Sequence, residues 1–138
     1  MSECTFCSIV AGDLPSTKVY EDDRTVAFMD INPASRGHSL VVPKEHSVDL
    51  LEIGADDMAA CMQTAQKLAG DAKTKLGADG VNLLNCCGAD AWQTVFHFHI
   101  HVIPRYRDQP AKDRLRLPWT PEAGAPEEIS AAAADLTA

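Results

Sequence analysis

Val95-Phe96-His97-Phe98-His99-Ile100-His101-Val102-Ile103 carries three of the chain's five histidines at strict alternation. Random placement of five histidines gives about 0.003 such triplets per chain, so the spacing is a signal. In an extended strand His97, His99 and His101 share one face, while Phe98, Ile100 and Val102 turn to the other. Three imidazoles on a rigid strand form a reactive surface, because imidazole serves as nucleophile, acid, base and ligand near neutral pH.

Outward from this strand the pattern is that of a small mixed domain. Residues 17–21 and 25–31 predict two strands joined by the polar turn Asp22-Asp23-Arg24, and Asn32-Pro33 stops the second. Gly37 leads into a third strand, 38–42, ended by Pro43. Met58, Cys61, Met62, Ala65, Leu68, Ala69, Ala72 and Leu76 follow one helical face, with Asp56 as the expected N-cap and Gly77 as the stop. Residues 80–86 and 95–103 supply two more strands, and Pro104 ends the last. Strands interrupted by one long helix predict an α+β fold, an antiparallel sheet with a helix against it.

The chain has 138 residues, 46% of them hydrophobic, and a formal charge of −8 from 12 basic and 20 acidic residues. That length fits one domain, expected over 1–107. The remainder, 108–138, reads as a polar tail, an apolar clip of Leu117-Pro118-Trp119-Thr120-Pro121 and a short Ala-rich helix over 127–136. The acidic balance disfavours nonspecific nucleic-acid binding. The N-terminus has no signal-peptide pattern and no run reaches membrane-spanning length, which together predict a cytoplasmic protein. Five cysteines fit reduced thiols or metal ligands better than a disulfide framework.

One metal cannot take all three histidines of a straight strand, because His97 and His101 would stand about 13 Å apart. Cys4-Thr5-Phe6-Cys7 has the C-x₂-C spacing of a zinc grip, which a redox pair or two unrelated buried cysteines also produce. With His46 and one member of the triplet it would make a Cys₂His₂ site. The other histidines suit phosphate chemistry, since the chain has no P-loop, no G-x-G-x-x-G and no magnesium-type carboxylate cluster. His99, flanked on both sides, suits a nucleophile; His38 is a candidate orienter; a divalent metal on the His99–His101 pair is the competing arrangement.

These residues resemble the histidine triad (HIT) superfamily, whose motif is His-x-His-x-His-x-x with apolar x. The match runs through Phe6-Cys7-Ser8-Ile9-Val10-Ala11-Gly12, Tyr20-Glu21-Asp22-Asp23, Ala27-Phe28-Met29-Asp30-Ile31-Asn32-Pro33 and Gly37-His38-Ser39-Leu40-Val41-Val42-Pro43-Lys44-Glu45-His46. It looks like the Hint branch, histidine triad nucleotide-binding proteins that act as purine nucleoside phosphoramidases. The resemblance implies a HIT-like fold: a five-stranded antiparallel sheet, one long helix and a short N-terminal helix, dimerising into a joined sheet. It implies His99 as nucleophile, His101 on phosphate and leaving group, His38 as support for the nucleophile, and the Thr94 hydroxyl on the phosphate. Asp30 matches the acid that holds the ribose; Phe6, Ile9, Phe28, Ile31 and Leu40 match the base pocket; Asn85 and Gln93 fall on the phosphate side. Cys4, Cys7, His46 and His97 match relatives with a structural zinc, one per chain, and no organic cofactor is implied. The implied activity is hydrolysis of AMP or GMP derivatives through a nucleotidyl-histidine. A regulatory nucleotide-binding module or a dinucleoside polyphosphate hydrolase are the alternatives. Trp92 departs from a glycine-rich approach and is expected to narrow the leaving-group side; Trp119 is expected near an active-site mouth.

Overall fold

The computed structural model describes residues 3–116 and 121–138, so the expected clip, with Trp119, lies outside the described residues except for Pro121. Helix α1 (Thr5–Ala11) is followed by β1 (Lys18–Glu21), β2 (Thr25–Met29), β3 (Ser39–Pro43), the long helix α2 (Ala55–Leu76), β4 (Gly80–Leu84), β5 (Ile100–Arg105) and α3 (Pro126–Leu136). The five strands form one sheet in the order β1-β2-β3-β5-β4, every pair antiparallel. The fold is therefore α+β, the five-stranded antiparallel sheet with one long and one short helix against it that the resemblance implies. None of the described helices is long and apolar enough to cross a membrane.

Strand alternation sorts the core into two layers. Ala27, Val41, Ile100, Val102 and Phe98 pack with Cys61 and Ala65 of α2 on one face. Val26, Phe28, Leu40 and Val42 pack with Phe6 and Ile9 of α1 on the other. Strand β3 is buried throughout because both faces are covered. Full burial of a side chain such as Phe98 stabilises the fold by about 1.5–3 kcal/mol.

Three local expectations are corrected. Helix α2 begins at Ala55 after Gly54, so Asp56 lies in the first turn beside Asp57 and caps nothing; there both carboxylates still favour the helix dipole. The fifth strand begins at Ile100 rather than Val95 and runs through Pro104 to Arg105. The Phe98 amide donates to the Ser47 carbonyl at 2.7 Å, which takes residues 95–99 out of the sheet ladder. Pro104 is tolerated because pairing with β3 stops at Val102, leaving β5 one neighbour there.

The apolar stripe of α2 also divides. Cys61, Ala65 and Ala72 face the core, whereas Met62 is 49% exposed. Gly37, at φ +89°, turns the chain into β3, and a Cβ there would strike the Leu76 side chain. Residues 109–116 return to the body: Arg36 and Arg114 amides donate to Lys112 and Ala34 carbonyls at 2.7 and 2.9 Å.

Candidate active site

On the α1 side of the sheet a cavity of about 400 Å³ opens, lined by Phe6 and Ile9 of α1 and by Phe28 and Leu40 of the central strands. Asp30, Ile31, Thr94, His99 and His101 complete the part of the wall that the sequence singles out. Phe6 meets Phe28 and His99 edge-on, with ring centroids at 5.3 and 5.1 Å. Alternation along β2 and β3 aims Phe28 and Leu40 at this face, and the i, i+3 spacing of Phe6 and Ile9 turns both toward them. Leu14, Pro15, Ser16, Met29 and Asn32 also line the cavity. Nothing in the sequence marks the loop 14–16, because it reaches the site only through the packing of α1.

Backbone groups set the proton on His38 and His99, and His38 in turn sets that on His101. The Ala34 amide donates to His38 Nδ1 at 2.9 Å, so neutral His38 carries its proton on Nε2. That Nε2 lies 2.9 Å from His101 Nδ1, which accepts, and His101 therefore bears its own proton on Nε2. His99 Nδ1 donates to the His97 carbonyl at 2.7 Å, leaving the lone pair on Nε2 of a ring that lines the cavity. The site thus pairs one imidazole that can attack with one that can donate. Asp30 stands 3.4 Å from His38 Nε2 and 3.9 Å from His101 Nδ1, and its other oxygen accepts from the Asn32 amide at 2.7 Å. Asp30, His38 and His101 are close enough to hold an ion. Their 2.9 Å contact is nevertheless that of a hydrogen bond already provided with its proton, and the trio reads as a relay.

Asn85 and Gln93 are placed differently from Thr94. Asn85 donates to the His99 carbonyl at 2.9 Å, fixing the backbone of that residue, and its amide oxygen is buried without a partner among the described residues. Gln93 spends its amide on the Gly88 N–H and on the Val48 and Val95 carbonyls, holding the loop ahead of the triad. Neither lines the cavity. Trp92, at φ 71°, is 80% exposed and also stands outside the lining, so the expected narrowing by its ring is not seen.

A second cluster lies behind the first. Cys4 is the N-cap of α1 and its sulfur accepts from the Cys7 amide, so C-x₂-C spacing brings both sulfurs to one helical turn. His97 Nδ1 lies 3.4 Å from Cys4 Sγ and 3.5 Å from Cys7 Sγ; His46 Nδ1 lies 3.3 Å from Cys7 Sγ and 3.2 Å from His97 Nδ1. A tetrahedral zinc has S···N edges of roughly 3.6 Å and N···N edges of roughly 3.3 Å from its bond lengths, and this cage has those dimensions. His97 Nε2 donates to the Pro43 carbonyl at 2.8 Å, which reserves Nδ1 for a metal and orients the ring. The bend after Phe96 lets His97 serve this cage while His99 and His101 face the cavity.

The HIT domain family model matches residues 11–108. The chain is 41% identical over 104 residues to the adenylylsulfatase HINT3 of Arabidopsis thaliana, covering 75% of this chain and 53% of that one. A zinc-bound histidine triad family protein from Mycobacterium smegmatis superposes with a TM-score of 0.77 at 39% identity, over 98% of this chain and 96% of that one. A histidine triad nucleotide-binding protein from Candida albicans gives a TM-score of 0.82 at 31% identity, over 98% and 95%.

Burial pushes His38 and His99 below the ordinary histidine range, and burial with the neighbouring His99 and His38 pushes His101 down to about 4 against the pull of Asp30. An unfolded histidine titrates near ~6.5, so between that pH and about 4 the unfolded chain binds the proton that folded His101 refuses. Stability is therefore lost as pH falls through that window. In His101→Asn the amide oxygen can still accept from His38 while the titration is gone. Urea unfolding at pH 7 and pH 5 should show the unsubstituted chain losing about 2 kcal/mol more than the variant. Equal losses would mean that His101 is not held neutral by the fold.

Proposed function

The chain belongs to the HIT domain family, and on that premise we propose that it hydrolyses purine nucleoside 5′-phosphoramidates and related AMP or GMP derivatives at the α-phosphate, through a nucleotidyl-His99 intermediate. The observation that carries this reading is the pair of proton positions: a lone pair on His99 Nε2 and a proton on His101 Nε2, both rings bordering one cavity. A volume of about 400 Å³ lies toward the small end of ligand pockets and supports one nucleotide better than two joined nucleosides. Phe6, Ile9, Phe28 and Leu40 offer an apolar slot for a base, Ile31 covers its rim, and the Asp30 carboxylate suits ribose hydroxyls.

In the first step His99 Nε2 attacks phosphorus, the P–Nε2 bond forms, and the bond to the leaving amine breaks as His101 Nε2 supplies a proton. His38 Nε2–H steadies His101 from behind. In the second step water attacks phosphorus, the P–Nε2 bond breaks, and the water proton restores the relay at His101. The products are a nucleoside monophosphate and an amine. Thr94 would hold a phosphate oxygen through its hydroxyl, while Asn85 and Gln93 keep the His99 backbone and the 88–95 loop in place. We further assign one structural zinc per chain to Cys4, Cys7, His46 and His97. When bound it supplies a fourfold tie between α1, His46 in the loop after β3 and the triad, and it takes no part in the steps above. Thiols kept competent for metal support a cytoplasmic location. No organic cofactor enters this reading.

His99→Ala should abolish turnover of adenosine 5′-phosphoramidate while leaving nucleotide affinity within about threefold, because base and ribose contacts remain. Phosphohistidine trapped on the unsubstituted chain without acid should map to His99; a label on His97 would reverse the roles.

The zinc assignment has its own measurement. Replacing Cys4 and Cys7 together by serine should remove the single equivalent of zinc and lower the Tm, since a structural zinc contributes to folding. Turnover per folded molecule should stay within about tenfold, and complete loss of activity with the fold intact would make the metal catalytic.

We also propose a two-fold homodimer through α2 and the free edge strand β4. Ala59, Met62, Gln66, Ala69, Val81 and Leu83 line a groove of about 610 Å³ there, with Leu83 41% exposed. An uncovered edge beside an apolar helix face is a surface that pairing would bury. Light scattering at micromolar concentration should return twice the chain mass; the mass of one chain overturns the dimer.

A further inference from the structure

The proton on His38 depends on the main chain of one residue, Ala34, which is held on both sides of its Cα. Its amide donates to His38 Nδ1 at 2.9 Å, and its carbonyl accepts from the Arg114 amide at 2.9 Å. Ser35 pairs with Asp113 across an antiparallel bridge, the Arg36 amide donates to the Lys112 carbonyl at 2.7 Å, and Arg114 Nη2 reaches the Pro33 carbonyl at 2.7 Å. The loop 33–36 that carries Ala34 is therefore laid against residues 112–114. Those residues fall outside the 11–108 stretch matched by the family model.

What holds 112–114 in place is Asp113. Its side chain is 9% exposed, and its Oδ2 accepts from Arg105 Nε at 2.8 Å and from the Tyr106 amide at 3.0 Å. Arg105 also reaches Asn82 Oδ1 at 2.7 Å and the Leu115 carbonyl at 3.0 Å, tying the clamp to β4 and β5. The Tyr106 hydroxyl donates to the Arg36 carbonyl at 2.7 Å, fixing the far end of the same loop. None of these groups lines the cavity.

We infer that Asp113 is a positioning residue for the histidine relay: it docks residues 112–114 as a strut that aims the Ala34 amide at His38 and so fixes which nitrogen of His38 holds the proton. The kinetic consequence rests on the function proposed above. Without that amide His38 is free to protonate at Nδ1 and to accept from His101 at Nε2. His101 would then place its proton on Nδ1 and present a lone pair, where the leaving amine needs a donor. Binding of base and ribose uses other residues, so the loss falls on kcat.

The test compares the unsubstituted full-length chain with Asp113→Ala, Asp113→Asn and Tyr106→Phe. Long-range ¹H–¹⁵N correlation spectra of ¹⁵N-labelled protein read the His38 tautomer directly. Turnover of adenosine 5′-phosphoramidate gives kcat and KM, and thermal melts report the fold. Asp113→Ala should convert His38 from a single Nε2–H tautomer to a mixture and lower kcat about ten- to a hundredfold, with KM within about twofold. Asp113→Asn retains an acceptor oxygen and should recover most of both. A folded Asp113→Ala chain with an unchanged tautomer and unchanged kcat overturns the assignment. Where that variant does not fold, Tyr106→Phe, which deletes a hydroxyl and no charge, decides on the same two readouts. An unsubstituted chain that turns over no phosphoramidate counts against the proposed function, while the tautomer measurement still judges the strut.

Discussion

A neutral imidazole has one nitrogen that donates and one that accepts, and burial favours the neutral form of His38, His97, His99 and His101. Every other feature of the site follows from how the main chain resolves that choice. The Pro43 carbonyl takes the proton of His97, the His97 carbonyl takes that of His99, and the Ala34 amide denies His38 a proton on Nδ1. Three identical side chains in one motif thereby acquire three different faces. One presents a nitrogen to two sulfurs, one presents a lone pair to a cavity, and the third, His101, keeps its proton on Nε2.

The sheet makes this division possible by stopping short. Strand β5 is laddered to its neighbours from Ile100 onward, while Phe98 is held by the Ser47 carbonyl. His101 consequently sits in a rigid ladder between β3 and β4, and His97 sits in a segment free to lean toward α1 and His46. The same short helix closes both arrangements. Its N-cap sulfur and that of Cys7 belong to the cage, and Phe6 and Ile9 of the same helix wall the cavity. The Cys/His cluster and the cavity are thus neighbours through seven residues of helix.

Much of this was legible in the residues. Alternation in the triad strand gave the correct inward set, Phe98, Ile100 and Val102, because sidedness in a strand is a local property. The stripe of α2 was right for Cys61, Ala65 and Ala72 and wrong in leaving Met62 with them, since a periodicity cannot say where the far wall of a core ends. The resemblance names nine residues that meet around the cavity and three that stand back from it: His38 contacts His101, while Asn85 and Gln93 hold backbone. The early end of the β5 ladder escaped notice because it depends on Ser47, distant in sequence. Ala34 and the Asp113 clamp escaped for a related reason. The former acts through an amide that every residue but proline possesses, and the latter couples segments some eighty positions apart.

That the orienting groups are main-chain atoms has a consequence for sequence drift. Selection acting on the histidines can be strict at His38, His97, His99 and His101, while the residues that aim them are free to vary in side chain. Ala34 could become serine or lysine and still present the same N–H, and only proline would erase it. Chemical identity and geometric control are thus recorded in separate parts of the chain, the first in a short motif and the second in the path of the backbone. A comparison of relatives by letter alone will count the four histidines and overlook the amide and the two carbonyls that make them different from one another.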